Sequence, residues 1–95
     1  MATVVGWSPH AEEQFRKILS ELYDRSPEQA EKWSDELLKK INLLESFPEM
    51  GRLAPTHGLY FYRQILVGQY RVRYAYFGNS VTIASIRHQA GDSPD

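Results

Sequence analysis

The chain has no cysteine, which removes disulfides, thiolate metal sites and thiol nucleophiles together. That economy fits a reducing compartment, and a cytoplasmic location is the expectation. No apolar run approaches the roughly 18 residues that span a bilayer, and the opening MATVVGWSPH lacks a basic region followed by a long apolar one. Secretion and membrane insertion are therefore not expected. Missing as well are Gly-x-Ser-x-Gly, a Walker loop and a dinucleotide fingerprint. His10, His57 and His88 are too scattered for metal-ligand spacing, so neither a metal nor another cofactor is expected. Repeats and low-complexity tracts are absent. A chain of 95 residues suits one domain, expected over 1–89 with a polar tail at 90–95. Such a small domain buries only about 60 to 70% of its unfolded surface, enough for one modest core.

Lysine is absent from the second half. Residues 1–50 carry six Lys/Arg and ten Asp/Glu, a sum of -4, whereas residues 51–95 carry five Arg, no Lys and two Asp, a sum of +3. The net charge of -1 thus conceals a segregation, and an arginine-only half predicts a surface that meets something anionic. The whole chain lacks the strong positive field of typical nucleic-acid binders.

Residues 3–7 are β-branched and apolar, which predicts an N-terminal strand. Ser8-Pro9 ends it and starts a helix, serine serving as the N-cap and proline suiting the first helical position. Ala11, Phe15, Ile18, Leu19, Leu22 and Tyr23 then recur at the spacing of one buried face. Ser26 with Gln29 forms a second N-terminal signal, a capping box. Ala30, Trp33, Leu37, Ile41 and Leu44 follow at steps of three or four, Leu38 widens the stripe, and the helix is expected to end before Phe47-Pro48. Helices joined so tightly form an antiparallel hairpin.

Residues 60–88, YFYRQILVGQYRVRYAYFGNSVTIASIRH, contain three aromatic and β-branched runs separated by Val67-Gly68-Gln69 and Gly78-Asn79-Ser80. They predict a three-stranded antiparallel meander. With the hairpin they give an α+β two-layer sandwich, β-α-α-β-β-β, with an antiparallel sheet. The meander's first strand is expected to run antiparallel to the N-terminal strand. In the run from Tyr70, alternation sets Tyr70, Val72, Tyr74 and Tyr76 on the core face and Arg71, Arg73, Ala75 and Phe77 on the open one. Those arginines either bind an anionic partner or pair with surface acids. Ile83 and Ile86 both call for burial, which a bulge near Ala84-Ser85 would reconcile while re-aiming Arg87 and His88. His88 is either an acid/base group or a structural histidine at the strand's end. Tyr60, Phe61 and Tyr62 offer stacking surfaces or core packing.

Ala11, Ala30, the run Phe47-Pro48-Glu49-Met50-Gly51-Arg52, Arg63, Tyr70-Arg71-Val72-Arg73-Tyr74 and the closing Ile86-Arg87-His88 occur in an order that resembles the RelE/ParE superfamily of type II toxin-antitoxin toxins. The likeness covers residues 4–88 and is strongest to the ParE-like branch, the plasmid stabilisation proteins. It implies a small bacterial growth-inhibiting toxin, paired with a cognate antitoxin that wraps it through a helix and an extended segment. RelE-like members cut mRNA in the ribosomal A site without metal, whereas ParE-like members inhibit DNA gyrase and are not nucleases. By the same likeness, nuclease members use lysines in the meander's first strand and arginines in the next two. Arg71 and Arg87 match those arginines. The lysine positions fall on or beside Tyr62 and Gln64, leaving Arg63 as the only cation there, and no tyrosine follows His88.

For a nuclease, Arg63, Arg71 and Arg87 would stabilise charge, and His88 or Glu49 would transfer protons. A net charge of -1 is poorly suited to docking into ribosomal RNA. The expectation is a ParE-like gyrase inhibitor, not an enzyme, that meets its partners through Arg63, Arg71, Arg73 and Arg87. A RelE-like ribosome-dependent mRNA interferase, with ribosome and mRNA as partners, and a non-toxic antitoxin-binding module are the alternatives.

Overall fold

A computed structural model describes residues 3–54 and 62–90. Strand β1 (Val4–Trp7) leads into α1 (Pro9–Arg25) and α2 (Pro27–Leu43), followed by β2 (Arg52–Leu53), β3 (Tyr62–Val67), β4 (Tyr70–Phe77) and β5 (Ser80–His88). The α+β two-layer sandwich is as expected, with one added strand. The start of the meander at residues 60–61, His57, and most of the 90–95 tail lie outside the described residues.

Both helix starts follow the local chemistry. The Ser8 hydroxyl accepts the Ala11 N–H at 3.0 Å and that of Ser26 accepts the Gln29 N–H at 3.3 Å. Only the serine half of the capping box forms, because the Ser26 N–H bonds Leu22 O at 2.8 Å, closing α1 with the residue that opens α2. The apolar stripes meet the sheet: Ala11, Ile18, Ala30, Trp33, Leu37 and Ile41 are buried. Leu38, expected to widen the second stripe, stays 43% exposed, since it lies about 100° round the helix from Leu37. Tyr23 also remains exposed, its hydroxyl donating to Glu31 at 3.2 Å.

The sheet order is β1-β5-β4-β3-β2. Two features correct the sequence reading. β1 pairs with β5 in parallel, so the sheet is mixed rather than wholly antiparallel. β3 is antiparallel to β4, which is antiparallel to β5; β3 therefore runs the same way as β1, not against it. The reason is β2. This two-residue strand pairs antiparallel with β3 and inserts one more chain reversal between α2 and the meander.

Each meander turn carries glycine at its first loop position, Gly68 with φ 60° and Gly78 with φ 63°, and no other residue type has positive φ among the described residues. A positive φ at the first loop position and a negative one at the second is the II′ hairpin pattern, which matches strand twist. The expected bulge is present: Arg73 pairs Ser85 while Tyr74 pairs Ile83, leaving Ala84 as the extra residue. Ile83 and Ile86 are consequently both buried. The start of α1 holds the irregularity, with the Ser8 hydroxyl donating to Ala84 O at 3.2 Å and the Gln14 side chain accepting the Ile86 N–H at 2.7 Å.

Candidate partner-binding surface

Register sorts the sheet's side chains into rows. On the face away from the helices, Arg52, Gln64, Arg73 and Ser85 form one row, and Leu66, Arg71 and Arg87 the next. Beyond them lie Tyr62, Ala75, Thr82 and Gly6, then Phe77, Ser80 and Val4. Three of the arginines singled out from sequence, Arg71, Arg73 and Arg87, therefore share one surface, and Arg52 joins them through β2. Sequence reasoning missed Arg52 as a surface partner because a two-residue strand has no periodicity to read. No Asp or Glu occurs between Met50 and Gly91, so the strands bring no carboxylate to these guanidinium groups. The Arg73 Nε is buried with no hydrogen-bond partner among the described residues.

Arg63 is on the other side. It pairs with Tyr74, a core residue, and its guanidinium donates to Gly51 O at 2.8 Å and Glu49 O at 3.3 Å, with the Glu49 carboxylate 3.9 Å away. It ties down residues 48–51. The Tyr74 hydroxyl shares the task, donating to Pro48 O at 2.7 Å and accepting the Gly51 N–H at 3.0 Å. A Cβ on residue 51 would stand 2.7 Å from the Tyr74 hydroxyl and 2.8 Å from Gln64 O, so only glycine lets the loop approach this closely. Burial raises the Tyr74 phenol above its ordinary 10.0, reinforced by Glu49 and opposed by the Gly51 N–H and Arg63.

His88 also faces the helix side, paired with Tyr70 at the end of the sheet. Its Nδ1 accepts the Ala90 N–H at 3.1 Å, which leaves Nε2 to donate to Gln69 Oε1, also at 3.1 Å. Both ring nitrogens are thus engaged in the neutral form. The ring closes an aromatic series from Trp7 through Phe15, Trp33 and Tyr70, with centroids 5.0 to 5.9 Å apart. It also borders a cavity of about 380 Å³ lined by Leu22, Arg25, Gln29, Trp33, Gln69 and Tyr70. The fold therefore gathers Arg71, Arg73 and Arg87 but separates them from Arg63, Glu49 and His88.

Two solved structures share this architecture. The chromosomal ParDE TA system from P. aeruginosa superposes with a TM-score of 0.74 at 16% identity, covering 90% of this chain and 95% of that one. The YoeB dimer from Staphylococcus aureus gives 0.53 at 22% identity, with the same two coverages. Those likenesses define the fold, an α+β sandwich with a helical hairpin on one face of its sheet. The family comes from sequence: the model for the ParE toxin of the type II toxin-antitoxin system parDE matches residues 5–93, and the chain belongs to that family. Membership makes it a type II toxin whose partner is a cognate antitoxin. No curated protein sequence matches it. Among the described residues, no helix is long and apolar enough to cross a membrane.

Proposed function

We propose that this toxin acts by binding, as a ParE-like inhibitor of DNA gyrase, and that its antitoxin silences it by covering the hairpin groove and a sheet edge. The observation that supports a binding mode is the separation of the candidate groups. Arg71, Arg73 and Arg87 share the bare face, whereas His88 and Arg63 lie on the helix side with their polar atoms engaged. Cleavage of RNA by a neighbouring 2′-hydroxyl needs a base, an acid and cations around one phosphate. With the arginines across the sheet from His88 and Glu49, that set is not assembled. Inhibition by binding needs only a complementary surface, which an arginine-bearing face provides.

The test is induced expression of the chain in bacteria without antitoxin, each culture being split between a plasmid supercoiling assay and 5′-end mapping of ribosome-associated mRNA. Intact mRNA with loss of negative supercoiling is the expected result. New codon-linked 5′ ends that vanish in Arg71→Ala would replace this reading with a RelE-like mRNA interferase. Unaffected growth with both readouts unchanged would leave a non-toxic antitoxin-binding module.

A further inference from the structure

We infer that the cavity at the corner between the helical hairpin and the β3-β4 turn is a binding site for a small monocarboxylate with an aromatic body. Two sharp reversals build the corner. Ser26 closes α1 and opens α2 with a single residue, which brings Leu22 and Arg25 beside Gln29 at the cavity wall. Gly68 turns β3 into β4 and presents Gln69. The Gln89 N–H donates to Gln69 O at 2.8 Å and so holds the end of β5 against that turn. The enclosed space, about 380 Å³, falls near the lower end of the roughly 300–1,000 Å³ typical of small-molecule sites.

The decisive group is Tyr70. It lines the cavity and is only 8% exposed, yet its hydroxyl makes no hydrogen bond among the described residues. A phenol this deep ordinarily has a partner. Tyr74, buried on the same face of the same strand, has two, Pro48 O and the Gly51 N–H. The Tyr70 hydroxyl is not sealed from solvent, so it opens onto the cavity its ring lines.

The rest of the lining selects for an anion. Arg25 has no ion pair among the described residues, and no Asp or Glu lines the cavity. Gln69 accepts from His88 through Oε1, which leaves its amide N–H groups as donors beside those of Gln29. One guanidinium fork matches one carboxylate, whereas a phosphate dianion calls for a second cation that the cavity lacks. The remaining wall is apolar and aromatic. Leu22 contributes aliphatic surface, and the Trp33 N–H is already committed to Val67 O at 3.1 Å, so the indole turns hydrocarbon to the cavity beside the Tyr70 and His88 rings. An aromatic body fits that wall, where offset and edge-to-face contacts add to area burial. The site goes beyond gyrase inhibition and involves none of the arginines on the bare face. Because ligand binding is read on the isolated chain and inhibition on supercoiling, either reading can fail alone.

The experiment is isothermal titration calorimetry of the full chain with 3-phenylpropionate, set against its neutral amide, phenyl phosphate and a short peptide ending in phenylalanine. The carboxylate should bind with a Kd below about 1 mM, and the amide at least about tenfold more weakly. Arg25→Gln should weaken the carboxylate by about tenfold or more. Tyr70→Phe, which keeps the ring and removes only the hydroxyl, should weaken it about three- to tenfold, both variants retaining the wild-type circular dichroism spectrum. Arg16→Gln, an exposed arginine of the same helix, should leave the affinity unchanged. The inference is overturned if 3-phenylpropionate gives no binding at millimolar concentration, if the amide binds equally well, or if Arg25→Gln and Tyr70→Phe keep the wild-type affinity. Tighter binding of phenyl phosphate or of the peptide than of the free carboxylate would equally overturn it.

Discussion

The two faces of one sheet are built to different rules. The helix-covered face holds Val72, Tyr74, Ile83 and Ile86, all nearly inaccessible to solvent, with their polar atoms matched by the loop and by α1. Even its charged residue, Arg63, is spent on loop carbonyls. The bare face sets Arg71 opposite Arg87 and leaves Phe77 73% exposed, choices that do little for folding. One strand such as β4 supplies both sets by simple alternation. Residues that lower the free energy of the fold and residues that line the bare face are thus interleaved in sequence and separated in space.

Substitutions should respect that division. The largest loss of stability is expected at the helix-sheet contact. Leu37→Ala opens a cavity beneath a fully buried side chain, and Trp33→Ala also removes the indole bond to Val67 O; each should cost about 2 to 5 kcal/mol in urea unfolding. Gly51→Ala comes next, because the added methyl meets the Tyr74 ring and a backbone carbonyl. Overpacking of this kind costs about 1 to 3 kcal/mol, seen as a lower denaturation midpoint at an unchanged slope. Arg71→Ala should shift unfolding by only about 0.5 kcal/mol or less, yet abolish growth inhibition. Equal stability losses for Leu37→Ala and Arg71→Ala would erase the distinction between the faces.

Tyr74 allows the covered face to be probed by pH. Its folded-state phenol titrates above the ordinary 10.0, mainly through burial. The contribution is whole below that ordinary value. As pH rises past it, the unfolded chain releases its proton first, and stability declines until the folded value is passed. Tyr74→Phe should flatten this alkaline limb in denaturation midpoints, after an initial loss at neutral pH from leaving the Gly51 N–H without its acceptor.

Much of this architecture could be read from the sequence because its signals are local. The Ser8-Pro9 and Ser26-Pro27 caps, the glycine turns and the bulge demanded by Ile83 and Ile86 each depend on a few neighbouring residues. β2 and the parallel pairing of β1 with β5 depend on distant partners and left no periodic trace. The sorting of charged residues was partly legible. Arg63 alternates with Ile65 and Val67, and His88 lies two residues beyond buried Ile86, so period-two spacing already pointed both toward the core. Their grouping with Arg71 rested instead on residue type and on family resemblance. The resemblance itself was sound, and residues 5–93 match the ParE toxin model.

The most direct measurement is a supercoiling assay with purified gyrase, comparing the wild-type chain with an Arg71→Ala/Arg73→Ala double variant whose urea midpoint and circular dichroism are matched to it. Wild-type protein should block the introduction of negative supercoils, and the folded double variant should not. Equal inhibition by both would show that the bare face is not the working surface and contradict the division of labour described above.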